Sequence, residues 1–176
     1  PVPKAKFPVI EAHTHVNWVF GRRTVVDPNA VPPEAAKQLA EIVRLMDDLN
    51  IRLMVNLTGG NSVGALNNNI AALDRKYPGR FANCIEPAWD RVREPGYPQW
   101  QADELAKAKD AGAVGLKILK TLGLYLRENG DTGPLVKVDD PRFDPMWDAA
   151  GQLGLPAFLH TADPDAFFLP IDRFNE

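Results

Sequence analysis

Pro8-Val9-Ile10-Glu11-Ala12-His13-Thr14-His15-Val16 closes the first apolar segment of this 176-residue chain. The run reads as a strand, and in a strand residues two apart share a face. His13 and His15 are therefore expected side by side at the strand's carboxyl end. Two imidazoles so placed make half of a metal site, since imidazole is the commonest protein ligand for zinc and similar ions. An H-x-H alone is a weak signal, which surface or hydrogen-bonded core histidines also produce. The third and last histidine, His160, changes the balance. It ends another strand-like run, Leu155-Pro156-Ala157-Phe158-Leu159. Every histidine thus falls where a strand gives way to a loop, the edge at which α/β proteins build their sites.

Outward from that strand the chain reads as five strand-then-helix units. The first strand, about Val9 to His13, leads through a long loop to a helix opened by Pro32-Pro33, since proline suits a first turn. Ala35, Leu39, Ile42, Val43, Met46 and Leu49 give that helix one apolar face. Ile51 to Leu57 is the second strand, ended by Thr58-Gly59-Gly60. A helix carrying Leu66, Ile70, Leu73 and Tyr77 stops at Pro78-Gly79. The third strand is Phe81 to Ile85, the next helix Trp100 to Ala111 with Gly112 as its cap. Ala113 to Leu119, a helix from Phe143 to Leu153, and Leu155 to Leu159 complete the pattern.

Strict alternation of apolar strands with helices implies a parallel sheet covered by helices. Two architectures compete. A doubly wound sheet in the order 2-1-3-4-5 separates strands one and five by ~14 Å, too far for His13, His15 and His160 to share an ion. It also lacks here the phosphate-cradling loop or acidic cluster that its usual ligands need. In a (β/α)8 TIM-type barrel, strands one and five face each other across the mouth. The histidines favour the barrel, with about five of its eight β/α units in this chain.

Composition sets the bounds. Hydrophobic content of 45% and charged content of 24% are ordinary for a globular domain, and residues 1–176 read as one. A net charge of −3 without a basic cluster speaks against a nucleic-acid or anionic-membrane partner. No apolar run approaches the ~20 residues of a membrane-spanning helix. Cys84 is the single cysteine, which excludes an internal disulfide and a cysteine-based zinc cage. Its setting, Phe81-Ala82-Asn83-Cys84-Ile85, reads as inert packing. Pro1 opens the chain in place of Met, the mark of a cloned boundary, a tag or a removed signal peptide. Cytoplasmic and periplasmic or secreted locations both stay open.

Ile10-Glu11-Ala12-His13-Thr14-His15, Gly115-Leu116-Lys117-Ile118 and Leu159-His160-Thr161 together resemble the amidohydrolase superfamily. The branch they most resemble is the amidohydrolase-2 group of aminocarboxymuconate-semialdehyde decarboxylase and related hydrolases and lyases. The resemblance runs along the whole chain in order. It implies a barrel holding one divalent metal, often zinc, that activates a water. By position, His13, His15 and His160 would be the metal ligands. Glu11 departs from the usual Asp two residues before the first histidine, so it would orient a histidine less tightly from behind. The family's histidine after strand six and aspartate after strand eight would lie beyond Glu176. The resemblance therefore implies the N-terminal part of a barrel: a fragment of a longer chain, a homo-oligomer, or a sheet closed in another way.

Three histidines bind Zn²⁺ and leave a position for water, whose pKa the ion lowers toward ~7. Asp163 and Asp165, just after His160, are the nearest carboxylates in sequence. Asp163 is a candidate catalytic proton acceptor, with helix N-capping the alternative role. Lys117 sits inside an apolar strand, where an amine is costly unless paired or functional. It is the second catalytic candidate, as a holder of a substrate carboxylate or, as in some branches, a carboxylated metal bridge. Trp18, Phe20, Arg22 and Arg23 follow the H-x-H on the loop over the mouth, where they suit an organic substrate or pack the loop down. The expectation is a metal-dependent hydrolase of a C–N or ester-type C–O bond in a small molecule. A metal-dependent decarboxylase and an inactive metal-binding half barrel are the alternatives.

Overall fold

The computed structural model describes residues 3–21 and 26–161. Strands β1 (Val9–Thr14), β2 (Ile51–Asn56), β3 (Phe81–Ile85), β4 (Gly115–Ile118) and β7 (Ala157–Leu159) form one sheet, and all its pairings are parallel. Their spatial order is β1-β2-β3-β4-β7, so chain order and sheet order coincide. A doubly wound sheet would reverse direction beside β1. Here β1 is an edge. The sheet is a curled half-barrel, five parallel strands of a TIM-type barrel, as the histidine placement predicts.

Helices α1 (Pro33–Leu49), α2 (Val63–Ala72), α3 (Tyr97–Ala111) and α4 (Asp144–Gln152) connect the strands. Local chemistry sets their ends. α1 starts with proline in its first turn and stops at Asn50, which takes the left-handed conformation at φ 62°. α3 begins at Tyr97, three residues earlier than the apolar spacing implies, because Pro98 fits its first turn. α2 is shorter than expected: its regular turns end at Ala72, and Leu73 packs beyond them. A small antiparallel hairpin, β5 (Arg127–Asn129) and β6 (Thr132–Leu135), lies between β4 and α4 outside the five strand–helix units.

Two apolar clusters cover the helical side of the sheet. Leu105, Ala108, Leu116, Ile118, Met146 and Ala150 join α3 and α4 to β4. Leu39, Met46, Leu73 and Phe81 join α1 and the end of α2 to β3. On the concave side Val55, Leu57 and Cys84 pack with Phe158. Each buried leucine contributes on the order of 2–5 kcal/mol against truncation to alanine. β4 divides its residues between the sides: Leu116 and Ile118 face the helices, while Lys117 is paired in register with Phe158 and is 1% exposed.

Gly59 places the end of β2 against β3. Its N–H donates to the Cys84 carbonyl at 3.1 Å, and a Cβ there would run into that same oxygen. Only glycine permits this approach. The preceding residue, Thr58, is thereby fixed at the carboxyl rim, 2% exposed.

Candidate metal centre

β1 carries His13 near its carboxyl end, and the chain then turns through the short helix Val16–Phe20. His15 caps that turn, its carbonyl accepting from the Trp18 N–H at 3.0 Å. The turn returns the indole to the histidine, so the rings of His15 and Trp18 stack. The His13 and His15 rings lie 5.6 Å apart, centre to centre, with planes at 70°. Two imidazoles on one tetrahedral ion, each nitrogen ~2.1 Å from it, have ring centres roughly 5–6 Å apart. The observed spacing fits a shared ion.

Glu11 holds the strand rather than an imidazole. Its Oε1 accepts from the backbone N–H of His13 at 3.0 Å. The support behind His15 comes instead from Thr58, at the end of β2. His15 Nδ1 lies 3.4 Å from Thr58 Oγ1, and the Thr58 hydroxyl in turn donates to Asn17 Oδ1. Asn56 Oδ1 stands 3.3 Å from the same hydroxyl, and Asn56 Nδ2 donates to Asn83 Oδ1 at 2.8 Å. Asn83 Nδ2 donates to Asp74 Oδ1 at 3.0 Å. Asn17, Asn56, Thr58 and Asn83 are all buried. Burial raises the Asp74 carboxyl to about 6, against the opposing hydrogen bond from Asn83. Asn56 and Asn83, amides inside otherwise apolar strand runs, were the available signal, because buried amides in a sheet need side-chain partners.

His160 stands at the same carboxyl edge, where its N–H donates to the Ile118 carbonyl at 2.9 Å. β7 and β1 are the two outer strands, so four steps across the sheet separate it from the pair. Among the described residues no group of three or more His, Cys, Asp or Glu side chains is gathered as a metal set. The structure brings His13 and His15 together and holds His160 half-buried at the far side of the rim. Asp163, Asp165, Arg22 and Arg23 lie outside the described residues.

Lys117 occupies the concave side. Burial pulls its amine below the ordinary value, while nearby Cys84 and Glu86 act the other way. Cys84 is fully buried, with its thiol pushed up to about 12 mainly by burial, as inert packing requires. A cavity of about 330 Å³ opens beside the histidine support, lined by Asn17, Thr58, Asn69, Glu86, Trp89 and Thr121 among others. Trp89 packs edge-on against Phe143, and Trp100 carries the Arg91 guanidinium over its face at 3.8 Å. Trp100 serves packing, while Trp89 both packs and lines the cavity.

No protein-family model matches the chain, and no curated protein matches it. A solved structure does. The chain is similar to the crystal structure of 2,6-dihydroxybenzoate decarboxylase from Rhizobium, at 23% identity and a TM-score of 0.56. The likeness covers 90% of this chain and 51% of that one, so the chain spans about half its length. At that identity the likeness establishes the fold.

Proposed function

We propose that this chain forms the first five β/α units of an amidohydrolase-type barrel, and that the enzyme so built is a metal-dependent decarboxylase of a small organic carboxylate. The pairing of His13 with His15 at a spacing suited to one ion carries this reading. The solved structure that the chain resembles is named a decarboxylase, which favours that reaction over hydrolysis. His13 and His15, with His160 from the opposite edge, would hold one divalent ion, zinc foremost. Such an ion supplies Lewis-acid polarisation of a bound oxygen.

This chain's own groups define the rest. Trp18, 50% exposed and stacked on His15, offers a flat apolar wall for a planar substrate. Lys117 presents a cation from the concave face, and a substrate carboxylate is its natural partner. The interior has low polarity around Val55, Leu57 and Phe158, which strengthens that attraction. Hydrolysis is the second reading, because Glu86 lines the rim cavity and could accept a proton there. Asp163 is the other proposed acceptor. The remaining barrel units would come from further residues of the same polypeptide or from a second copy.

Metal quantitation on the purified chain, followed by carbon dioxide release from 2,6-dihydroxybenzoate and by ester and lactone panels, tests the reading. Stoichiometric metal and carbon dioxide support it, and ester turnover alone supports the hydrolase. Metal without turnover supports an inactive metal-binding half barrel. A chain that binds no divalent metal loses the proposal.

A further inference from the structure

The buried amides behind His15 can in principle run in either of two directions. An asparagine offers an acceptor and a donor, a hydroxyl does both, and a neutral imidazole carries its proton on either nitrogen. Reversing every member at once would leave each contact intact. One group breaks this symmetry, because an ionised carboxylate only accepts.

Asp74 is that group. It receives Asn83 Nδ2, so Asn83 must turn its Oδ1 toward Asn56. Asn56 then spends Nδ2 on Asn83 and faces Thr58 with its own Oδ1. The Thr58 hydroxyl has one proton, and both oxygens around it, those of Asn56 and Asn17, are acceptors. Only lone pairs are left for His15 Nδ1.

We infer that Asp74, acting through Asn83, Asn56 and Thr58, holds His15 in the Nδ1–H tautomer and so makes Nε2 its metal-binding atom. Asp74 and Thr58 are positioning residues. The carboxylate follows α2, the relay crosses β3 and β2, and its effect emerges after β1, so three successive units cooperate on one ring. The tautomer itself stands apart from the proposed function, but its value for metal binding rests on that reading. Supporting groups that orient a ligating histidine are commonly worth 10–100-fold in metal affinity.

Long-range ¹H–¹⁵N correlation spectra of the metal-free chain at pH 8 read the His15 tautomer directly. The expected pattern is Nδ1–H in the wild-type chain and in Thr58→Ser. Asp74→Asn, which allows the amides to reverse, should give a mixture, and Thr58→Val should lose the preference. Zinc affinity, measured by chelator competition, should fall about tenfold in Asp74→Asn with circular dichroism unchanged. An Nε2–H pattern in the wild-type chain overturns the inference, as does an unaltered tautomer in a folded Asp74→Asn. If the wild-type chain shows Nδ1–H yet binds no zinc, the relay stands and the functional proposal above falls.

Discussion

The imidazole of His15 and the indole of Trp18 are parallel to within 13°, with centroids 4.5 Å apart. Stacking fixes the plane of the histidine, while Thr58 fixes its rotation within that plane. Trp18→Ala should therefore weaken zinc binding several-fold without unfolding the chain, since Trp18 is half exposed. Trp18→Phe should retain most of the affinity. Isothermal titration of the two variants distinguishes ring support from bulk.

Gly115 gives a steric test of the concave face. A methyl group there would meet Phe158 Cε2 at 2.9 Å, the Pro156 carbonyl at 3.0 Å and Cys84 Sγ at 3.1 Å. Gly115→Ala should cost about 1–3 kcal/mol as overpacking. Adding Phe158→Leu should restore only part of this, because the Pro156 carbonyl is backbone and cannot retreat. Urea denaturation of the single and double variants measures both numbers.

Asp74 predicts a pH effect on stability. Its carboxyl is raised from an ordinary 3.8 to about 6 by burial. The native state therefore keeps a proton that the unfolded chain has released between those values. The native state binds this proton more tightly than the unfolded chain, so Asp74's contribution is full below about pH 4 and is lost as pH rises through about 6. Comparing denaturation midpoints of wild type and Asp74→Asn at pH 4, 5 and 6 isolates this slope. The difference should shrink in the wild type's disfavour as pH rises and level off above 6.

Lys117 should separate stability from function. Its amine is desolvated on the concave side. Lys117→Met keeps the length and removes the charge, so the melting temperature should hold or rise. Carbon dioxide release, if the proposed reaction is right, should fall at least tenfold. Thermal scans alongside turnover decide it.

The outer strands predict association. Ile10 on β1 is 62% exposed and Leu159 on β7 is 46% exposed. Among the described residues these are the outer strands of the sheet, and apolar residues on such edges attract further strands. Light scattering of the 176-residue chain should show concentration-dependent oligomers, reduced by Ile10→Lys. A monomer across a wide concentration range would contradict this.

The barrel was legible from the placement of all three histidines at strand ends, although among the described residues the structure gathers only His13 and His15 and leaves His160 on the opposite outer strand. The helices were legible where apolar spacing and proline agreed, as in α1. The β5–β6 hairpin was not, since Arg127–Leu135 has no alternating apolar pattern and is held by Arg93 and Arg127 side chains on backbone carbonyls. The histidine pair was readable from period-two geometry. Its support was not, because Asn56 and Thr58 at the end of β2 meet Asn83 and Asp74 only through the parallel pairing of β2 with β3. Glu11 looked like support for a ring and instead binds backbone, a difference that side-chain geometry alone decides.

The coincidence of strand order with chain order also bears on how the molecule assembles. Every strand of the main sheet docks beside the one made just before it. Each closure spans a local excursion of similar length built on a helix, with the hairpin added before α4, so the loop entropy lost at each step stays similar. During synthesis, β1 and β2 can pair before β4 has left the ribosome, and the growing edge serves as the template for the next unit. The pair His13–His15 is thus placed by the earliest pairing, and the residues that orient it are made in the order Asn56, Thr58, Asp74, Asn83. A pulse-labelling hydrogen-exchange experiment on refolding chains would register protection at β1 and β2 ahead of β7.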